Sequence, residues 1–206
     1  MCFDDRAATW DDPDKVARSA EVADAIRRRL DLTARPRTLE IGAGTGLLSR
    51  ALRADLGPTT LADSSPGMLA VAAQVIAEEH LDGWTTALAD ADDASLPGGP
   101  YELVLSQLAL HHMEHPRAVI GRIHAVLAPG GHLAVADLDH DPEGAFHRAH
   151  GDFHGHHGFD RDHLARWLAE AGFTDVFVET VTMLTKEVEG EARAFPLFLA
   201  TARRPA

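Results

Sequence analysis

The chain has 206 residues, of which 45% are hydrophobic, and its formal net charge is -13. This length and composition are typical of one globular domain with a complete hydrophobic core. Because nucleic acids and anionic membranes are bound through basic surfaces, the acidic balance disfavours both as partners.

Cysteine content and the first residues bear on the compartment. Cys2 is the single cysteine, so no disulfide can form within the chain, and a cytoplasmic location is expected. The polar, acidic first residues disfavour a signal peptide, and no stretch approaches the ~18 apolar residues of a membrane helix. Cys2 is expected to be a surface thiol rather than a nucleophile, because no obvious neighbour would stabilise its thiolate.

Residues 1–13 are polar apart from two aromatic residues, Phe3 and Trp10. Two interpretations remain open, a loose terminus and a lid that closes over a site and excludes water. Asp12 and Pro13 predict the start of a helix, because Asp is a favoured cap and Pro suits the first turn. The run Ser64-Ser65-Pro66 and Asp160 predict the starts of two later helices.

A glycine-rich stretch follows the first apolar run. Residues 38–41 end in an apolar residue, glycines stand at positions 42, 44 and 46, and a helical pattern begins at Leu47. This order predicts a buried strand, a tight turn and a helix N-terminus. Glycines there let the backbone approach a ligand, which would face the free N–H groups of the helix.

The stretch does not define its ligand by itself. A dinucleotide fingerprint requires glycine where this chain has Leu47, and no Lys-Ser/Thr pair follows Gly46, as a nucleoside-triphosphate loop requires. A purely structural turn remains an alternative. Glu40 disfavours a polyphosphate, because its carboxylate would repel anions, and it favours a positively charged ligand.

Apolar stretches and helical patterns alternate along the rest of the chain. Such alternation predicts an α/β fold with a parallel sheet, right-handed crossovers and helices on both faces. After the glycine turn a helix is predicted to extend to about residue 56. Further strands are predicted at 59–63, 84–89, 101–106, 132–138, 174–181 and 193–202. Ligands of such folds bind at the carboxyl ends of the strands, which here carry Gly42, Asp63, Asp90, Ser106 and Asp137.

Five motifs in order resemble those of class I S-adenosylmethionine-dependent methyltransferases. They are residues 39–46, 62–69, 89–91 with 96–97, 103–106 with 109–112, and 127–133. The resemblance implies a Rossmann-like, seven-stranded, mostly parallel sheet with an antiparallel last strand and helices on both faces. The most similar branch acts on small molecules and includes the ubiquinone and menaquinone biosynthesis methyltransferases.

The resemblance implies S-adenosyl-L-methionine as cofactor. The glycines would approach its methionine part, Glu40 would lie near its amino group or sulfonium, and Asp63 would accept hydrogen bonds from both ribose hydroxyls. The alternative for Asp63 is a helix-capping carboxylate. The positions expected to bind the cofactor are Glu40, Gly42, Ala43, Gly44, Gly46, Asp63, Ser64, Met68, Asp90, Ala91 and Ser106.

Asp90 is expected to accept a hydrogen bond from the adenine amino group, with the Ala91 N–H facing a ring nitrogen. Asp92 or Asp93 remains an alternative to Asp90. The implied reaction is an in-line displacement of the methyl group by a small-molecule acceptor, which the protein mainly positions. The alternative function is a protein of the same fold that binds the cofactor or a metabolite without chemistry.

Histidines are concentrated beyond the fourth strand. His111 and His112 either include a general base or shape their loop. The segment with His147, His150, Asp152, His154, His156 and His157 could bind an acidic or metal-bearing substrate, supply a base, or form a solvated or packed loop. A metal site stays open for the His pairs, although no metal is predicted. The predicted catalytic candidates are His111, His112, His154 and His157.

The acceptor is expected between the N-terminal segment, the loop after the fourth strand and the histidine-rich segment. Its predicted contacts are Trp10, Leu108, His111, His154 and His157, with Phe146 and Phe153 nearby. We predict a single domain over 1–206: an N-terminal lid and helix (1–30), a cofactor-binding core (37–138) and a substrate-covering region with closing strands (139–206). A monomer or homodimer is expected.

Overall fold

The structure, a computed structural model, describes residues 3–93, 96–148 and 153–206. Cys2, His150 and Asp152, to which the sequence assigned a surface thiol and two positions in the histidine-rich segment, lie outside these ranges.

The described residues form five helices and seven strands. In chain order these are α1 (Pro13–Arg29), β1 (Thr38–Ile41), α2 (Leu47–Ala51), β2 (Thr59–Asp63), α3 (Pro66–Glu78), β3 (Thr85–Leu88), β4 (Tyr101–Gln107), α4 (Pro116–Val126), β5 (Leu127–Leu138), α5 (Arg161–Glu170), β6 (Thr174–Val188) and β7 (Glu191–Arg203). Short 3-10 helices occur at Asp4–Thr9, Leu110–His112 and Ala145–His147.

All seven strands belong to one sheet with the order β3-β2-β1-β4-β5-β7-β6. The pairs from β3 to β5 are parallel, and β7 runs antiparallel to both of its neighbours. The predicted seven-stranded, Rossmann-like fold with an antiparallel last strand is therefore confirmed. The strand order reverses between β1 and β4, and the cleft at such a reversal is where α/β folds bind ligands.

Helices cover both faces of the sheet and divide the core into two layers. On one face, α4 and α5 pack their apolar residues, such as Val119 and Leu164, against Val104 and Val135. On the other face, α1 and α2 pack residues such as Ile26 and Leu48 against the sheet. None of the helices in the described ranges has the length and apolar character needed to cross a lipid bilayer.

The predicted helix starts agree with the structure. Asp12 caps α1 by accepting a hydrogen bond from the Lys15 N–H. Ser65 caps α3 by the same kind of bond from Met68, and Asp160 caps α5. These side chains satisfy N–H groups that have no partner within the helix, which is why they define where each helix begins.

Several predicted boundaries are wrong. Helix α2 ends at Ala51, not near residue 56, and the chain continues there in tight turns such as Asp55 N–H to Leu52 C=O. Strand β5 begins at Leu127, not at His132, and so includes the turn-like Pro-Gly-Gly stretch of residues 129–131, where Gly130 donates to the Arg204 carbonyl. Strands β6 and β7 are longer than predicted because their pairing continues as far as Val188 opposite Glu191.

Candidate active site

The glycine turn after β1 brings three glycines into the left-handed region, with φ angles of 62° at Gly42, 55° at Gly44 and 82° at Gly46. A Cβ on Gly42 would lie 2.3 Å from the Ala109 Cβ, and one on Gly46 would lie 2.7 Å from Leu61 Cδ1. These two glycines therefore permit close packing within the protein itself.

Gly44 differs from its neighbours because its missing side chain leaves space. The nearest atoms to a Cβ placed there are the Trp10 indole nitrogen at 3.7 Å and the Met68 sulfur at 3.9 Å. Met68 is buried, so its thioether bounds this space on one side, and the Trp10 indole bounds it on another. Of the three glycines, Gly44 is the one at which a ligand can approach the backbone.

Asp63 lies at the end of β2, directly beside this space. One carboxylate oxygen accepts the Gly44 N–H at 2.7 Å and the other accepts the Ser65 N–H at 2.9 Å. Each oxygen keeps a second lone pair, so both can still accept a hydrogen bond from a ligand. Ser65, not Asp63, is the cap of α3, and Ser64 between them is exposed. Asp63 thus connects the glycine turn to the turn before α3.

Glu40 is buried, 2% exposed, and its carboxylate accepts the Ser49 N–H at 3.0 Å. Burial raises the pKa of Glu40 to about 7, the hydrogen bond from Ser49 opposes that rise, and the charge of Asp63 adds to it. A buried carboxylate of this kind becomes more favourably ionised when a cation arrives nearby.

The turn after β3 holds Asp90 and its neighbours. Asp90 is exposed, and one of its oxygens accepts the Asp92 N–H at 2.9 Å. Asp92 uses both carboxylate oxygens on the N–H groups of Glu114 and His115, so it holds the turn before α4. Asp90 retains more capacity to accept a hydrogen bond from a ligand than Asp92. Ala91 is buried beside it.

The carboxyl end of β4 carries two unusual features. The Ser106 hydroxyl is buried without a hydrogen-bond partner in the described part of the chain. Leu108 adopts a φ of 51°, a strained value for a residue with a branched side chain, and its N–H is bonded to the Ala136 carbonyl. Because Ala109 packs on Gly42, this loop directly contacts the glycine turn.

The N-terminal segment, residues 3–12, is bonded across the same edge of the sheet. Asp4 accepts hydrogen bonds from the Ser65 hydroxyl and the Gly67 N–H, and Asp11 accepts from Thr45 and Arg50.

Two aromatic rings of the same segment face the site. Trp10 lies near Gly44, and Lys15 lies over its ring at 4.7 Å. Phe3 contacts both Trp10 and His112, with ring centroids 5.8 Å and 5.4 Å apart. The N-terminal segment therefore lies over the glycine turn and reaches the loop after β4.

His111 and Asp137 form a buried pair at the ends of β4 and β5. Their exposed fractions are 2% and 0%, and the His111 Nδ1 lies 2.6 Å from Asp137 Oδ1. Asp137 also accepts the backbone N–H groups of His111 and Leu138. The carboxylate thus accepts three hydrogen bonds and fixes both the ring and the backbone of His111.

A cluster of rings surrounds this pair. Around His111, the centroid distances are 4.1 Å to His112, 5.2 Å to His147 and 6.1 Å to Phe153. His147 stacks on Phe153 at 3.6 Å and lies 5.8 Å from His157. Burial lowers the pKa of His147 to about 3, and the neighbouring histidines His111 and His112 add to the effect. His147 is therefore neutral near pH 7.

The predicted histidines have different surroundings. His111, His112 and His157 belong to the ring cluster, whereas His154 is exposed and makes no ring contact with the other described residues. His156 packs against Phe159 and donates its N–H to the His111 carbonyl. Within residues 3–93, 96–148 and 153–206, no group of three or more His, Cys, Asp or Glu side chains could hold a metal ion.

For four residues of this edge, the sequence predicted no specific contact. Asp4 and Asp11 bind residues far along the chain, which no local pattern indicates. Asp137 was recognised only as a strand-end residue, although a carboxylate inside the apolar run of β5 is a usable signal for a buried partner. His147 was one of several histidines, and only its packing distinguishes it.

Comparison with known proteins agrees with this geometry. Residues 16–178 match the family described as "Methyltransferase domain". A malonyl-[acyl-carrier protein] O-methyltransferase of Laribacter hongkongensis is 33% identical over an alignment of 207 positions, which covers 93% of this chain and 69% of that protein. A demethylmenaquinone methyltransferase of Thermus thermophilus is 32% identical over 127 residues, 58% of this chain and 56% of that protein.

Coverage of the relatives is uneven, and the chain spans 28% of the length of a longer, bifunctional biotin-biosynthesis protein. Among solved structures, a phosphoethanolamine N-methyltransferase of Haemonchus contortus, in complex with phosphomonomethylethanolamine and S-adenosylhomocysteine, superposes with a TM-score of 0.73. That match has 18% identity and covers 89% of this chain and 52% of that one. By the match over most of its length, the chain belongs to the methyltransferase domain family.

Proposed function

We propose that this chain transfers the methyl group of S-adenosyl-L-methionine to a small-molecule acceptor. Methyl transfer is the chemistry of the family to which the chain belongs. The observation that supports S-adenosyl-L-methionine as the methyl donor is the position of Asp63. Its two carboxylate oxygens accept the N–H groups of Gly44 and Ser65, beside the space at Gly44. A carboxylate fixed in this way suits the two adjacent hydroxyls of a ribose.

The residues around that space fit the rest of the nucleoside. Gly44 permits the backbone to approach the methionine part, and buried Glu40 favours the positive charge that this part carries. Met68 would pack against the adenine, and Asp90 with the Ala91 N–H would bind its edge. The Ser106 carbonyl would accept a hydrogen bond from the amino group of the cofactor. The Ser106 hydroxyl, which has no partner among the described residues, is a further polar group beside it.

When bound, S-adenosyl-L-methionine supplies an electrophilic methyl group on a sulfonium. The protein's task is to hold the acceptor close to that group, in line with the bond that breaks, and to exclude water. The N-terminal segment is suited to the exclusion of water, because Asp4 bonds it to the turn before α3 and Asp11 bonds it to Thr45 of the glycine turn. We therefore assign residues 1–13 the role of a lid.

The acceptor would occupy the space between the lid and the ring cluster. Trp10, Leu108, His111 and His157 line that region, and exposed His154 would contribute from its rim. Mixed aromatic and polar linings are typical of small-molecule sites. The net charge of -13 supports a small acceptor rather than nucleic acid. The chain would act as one domain, with its core at 37–138 and its covering region at 139–206, in a monomer or homodimer.

Titration calorimetry with S-adenosylhomocysteine tests the cofactor assignment. Asp63→Ala should weaken binding by about 1.5–3 kcal/mol, the usual value of hydrogen bonds to a charged group. Asp82→Ala, which removes an exposed carboxylate from a turn, is the matched control and should bind normally. Equal affinity of the two variants would exclude the role of Asp63.

A screen of small acceptors for release of S-adenosylhomocysteine tests turnover. Release with at least one acceptor is the expected result. Tight binding without release from any acceptor would instead support a protein that keeps the fold and binds the cofactor without chemistry.

A further inference from the structure

His111 and Asp137 form more hydrogen bonds with each other than are needed to fix the conformation of the loop after β4. Asp137 has no exposed surface and accepts hydrogen bonds on both oxygens, from the backbone of His111 and from its ring. A carboxylate that only closed a turn would need the backbone bond alone. The ring bond adds a specific orientation of the imidazole.

That bond also determines which ring nitrogen carries the proton. Each oxygen of Asp137 already accepts a backbone N–H, from His111 and from Leu138, so the carboxylate acts as an acceptor and we assign the proton of the ring bond to His111 Nδ1. In the neutral ring, Nε2 then has a free lone pair and lies on the side of the ring opposite Asp137. Asp137 therefore fixes the orientation of the His111 ring so that Nε2 can accept a proton.

The pair is adjacent to the place proposed for the methyl donor. Ala109, two residues before His111, packs directly on Gly42 of the glycine turn. A wall of rings continues from Gly44 through Trp10 and Phe3 to His112, whose ring is 4.1 Å from that of His111. Phe153 lies against the same cluster. An acceptor positioned between the donor site at Gly44 and the His111 ring would contact flat, aromatic surfaces.

We propose that His111, oriented by Asp137, removes the proton of an aromatic hydroxyl group, so that the acceptor is a phenol-type compound methylated on oxygen. This inference rests on the proposed function, because it takes the donor site at Gly44 as given. His111 is the catalytic residue and Asp137 is a positioning residue.

The step balances in atoms and charge. The hydroxyl proton passes to His111 Nε2, and a lone pair of the oxygen forms the new carbon–oxygen bond. The bond between the methyl carbon and sulfur breaks, and its electron pair stays on sulfur. The positive charge that began on sulfur is then on the His111 ring, which returns the proton to water. Neutral His147 beside it adds no repulsion to that charge.

An aromatic hydroxyl suits this arrangement better than an aliphatic one. Phenols such as the tyrosine side chain have a pKa of about 10, within reach of an imidazole base when transfer accompanies bond formation, whereas aliphatic alcohols are far weaker acids. Flat rings also pack well, offset or edge to face, against the Phe3, His112 and Phe153 rings. Acceptors whose nucleophilic atom carries no proton, such as thioethers, would not need a base, so the pair of His111 and Asp137 would have no catalytic role.

The first test needs no turnover. 4-Nitrophenol changes its visible absorption when it ionises, so its spectrum reports proton transfer to the protein. With S-adenosylhomocysteine present and at a pH where the free probe is protonated, the unchanged protein should bind it as the phenolate. His111→Asn, which keeps an amide N–H to face Asp137 but lacks Nε2, should abolish that change.

His80→Asn is the matched control for this test. His80 is exposed, and its φ of 51° is one that Asn tolerates. It should ionise the probe as the unchanged protein does. No phenolate signal with the unchanged protein, or an equal signal with His111→Asn, would overturn the proposal.

Turnover and affinity separate this proposal from the function on which it rests. Against a panel of phenols, aliphatic alcohols and thioethers, phenols should be the best acceptors, and His111→Asn should lower kcat by about 100-fold to 10,000-fold. Its affinity for S-adenosylhomocysteine should stay unchanged. Normal kcat with normal affinity would reject His111 as the base and leave the cofactor site intact, whereas lost affinity in the unchanged protein would reject the proposed function itself.

The role of Asp137 has its own measurement. In Asp137→Asn the amide can donate to Nδ1, which moves the ring proton to Nε2 and removes the acceptor. Nitrogen NMR of His111 should show this change of tautomer, and kcat should fall with little change in KM. Unchanged tautomer and unchanged kcat in a folded Asp137→Asn would contradict the positioning role. If that variant does not fold, the tautomer is measured in the unchanged protein, and an Nε2–H form there would contradict the role equally.

Discussion

The carboxylate of Asp4 lies 2.6 Å from the hydroxyl of Ser65, although 61 residues separate them in the chain. The same oxygen accepts the Gly67 N–H at 2.7 Å, and a Cβ on Gly67 would lie 2.8 Å from it. Asp4 thus rests against the first turn of α3, where free N–H groups favour a negative charge. This contact fixes one end of the lid beside the turn that presents Asp63.

Loss of that contact should loosen the lid. Asp4→Asn is expected to lower turnover about fivefold, equivalent to roughly 1 kcal/mol for an exposed hydrogen bond to a charged group, and to speed tryptic cleavage after Arg6. Asp5→Asn, with the same charge change at an exposed site in the same 3-10 helix, is the control. Removal of residues 1–10, which keeps the Asp12 cap, should lower turnover further; normal turnover after that removal would exclude a lid.

The glycines of the turn should respond differently to alanine. Gly42→Ala should mainly destabilise the fold, by about 2–4 kcal/mol, because its Cβ would overlap Ala109 at a positive φ. Gly44→Ala should cost only the backbone strain of about 1–2 kcal/mol, yet strongly weaken binding of S-adenosylhomocysteine. Gly190→Ala has a positive φ and open surroundings, so it controls for the strain. Urea unfolding measures the loss of stability, and calorimetry measures the loss of affinity for S-adenosylhomocysteine. Normal affinity of Gly44→Ala would mean that no ligand approaches the backbone at Gly44.

Glu40 should give stability an identifiable pH dependence. Its pKa is raised from 4.5 to about 7 by burial, so between these values the folded protein binds a proton that the unfolded chain does not. The contribution of protonated Glu40 to the free energy of unfolding is therefore fully present below pH 4.5. It is lost as the pH rises through 7, and the total loss is roughly 3 kcal/mol. Glu40→Gln should lose less stability than the unchanged protein between about pH 5 and pH 8 in urea unfolding. Identical pH profiles would show that Glu40 ionises normally.

His147 should make the stability of the fold depend on pH in the acid range. Burial lowers its pKa from 6.5 to about 3, so the unfolded chain binds the extra proton in that interval. Stability that depends on neutral His147 is present above 6.5 and is lost as pH falls towards 3. His147→Phe, which keeps a ring to stack on Phe153, should lose less stability from about pH 7 to about pH 4.5 by thermal unfolding. An equal loss in both proteins would indicate that His147 is protonated in the folded state.

Local patterns predicted the parts of the structure in which neighbours along the chain determine the outcome. The order of strands and helices, the glycine turn and the caps Asp12 and Asp160 all follow from residue type and spacing. The early start of β5 does not, because its Pro-Gly-Gly residues are typical of a turn and are held in the strand by bonds to Arg204. Here pairing with a distant segment outweighs local propensity.

The same division applies to the site. Asp63 and the glycines could be assigned from their motif, whereas the pairing of His111 with Asp137 spans 26 residues and depends on how β4 and β5 meet. The anchors Asp4 and Asp11 reach 61 and 34 residues along the chain. Contacts of this range are set by the assembled sheet, so one sequence without its fold gives no direct sign of them.

The position of β7 between β5 and β6 has a consequence for biosynthesis. Strand β6 precedes β7 in the chain, yet it joins the sheet only through β7. While the ribosome is still making β7, the finished β6 has no strand to pair with, and the edge of β5 is open. A nascent chain halted before Leu197–Ala200 would lack the buried centre of β7 and would expose two strand edges at once. Such a product would be prone to aggregation and a substrate for chaperones and proteases.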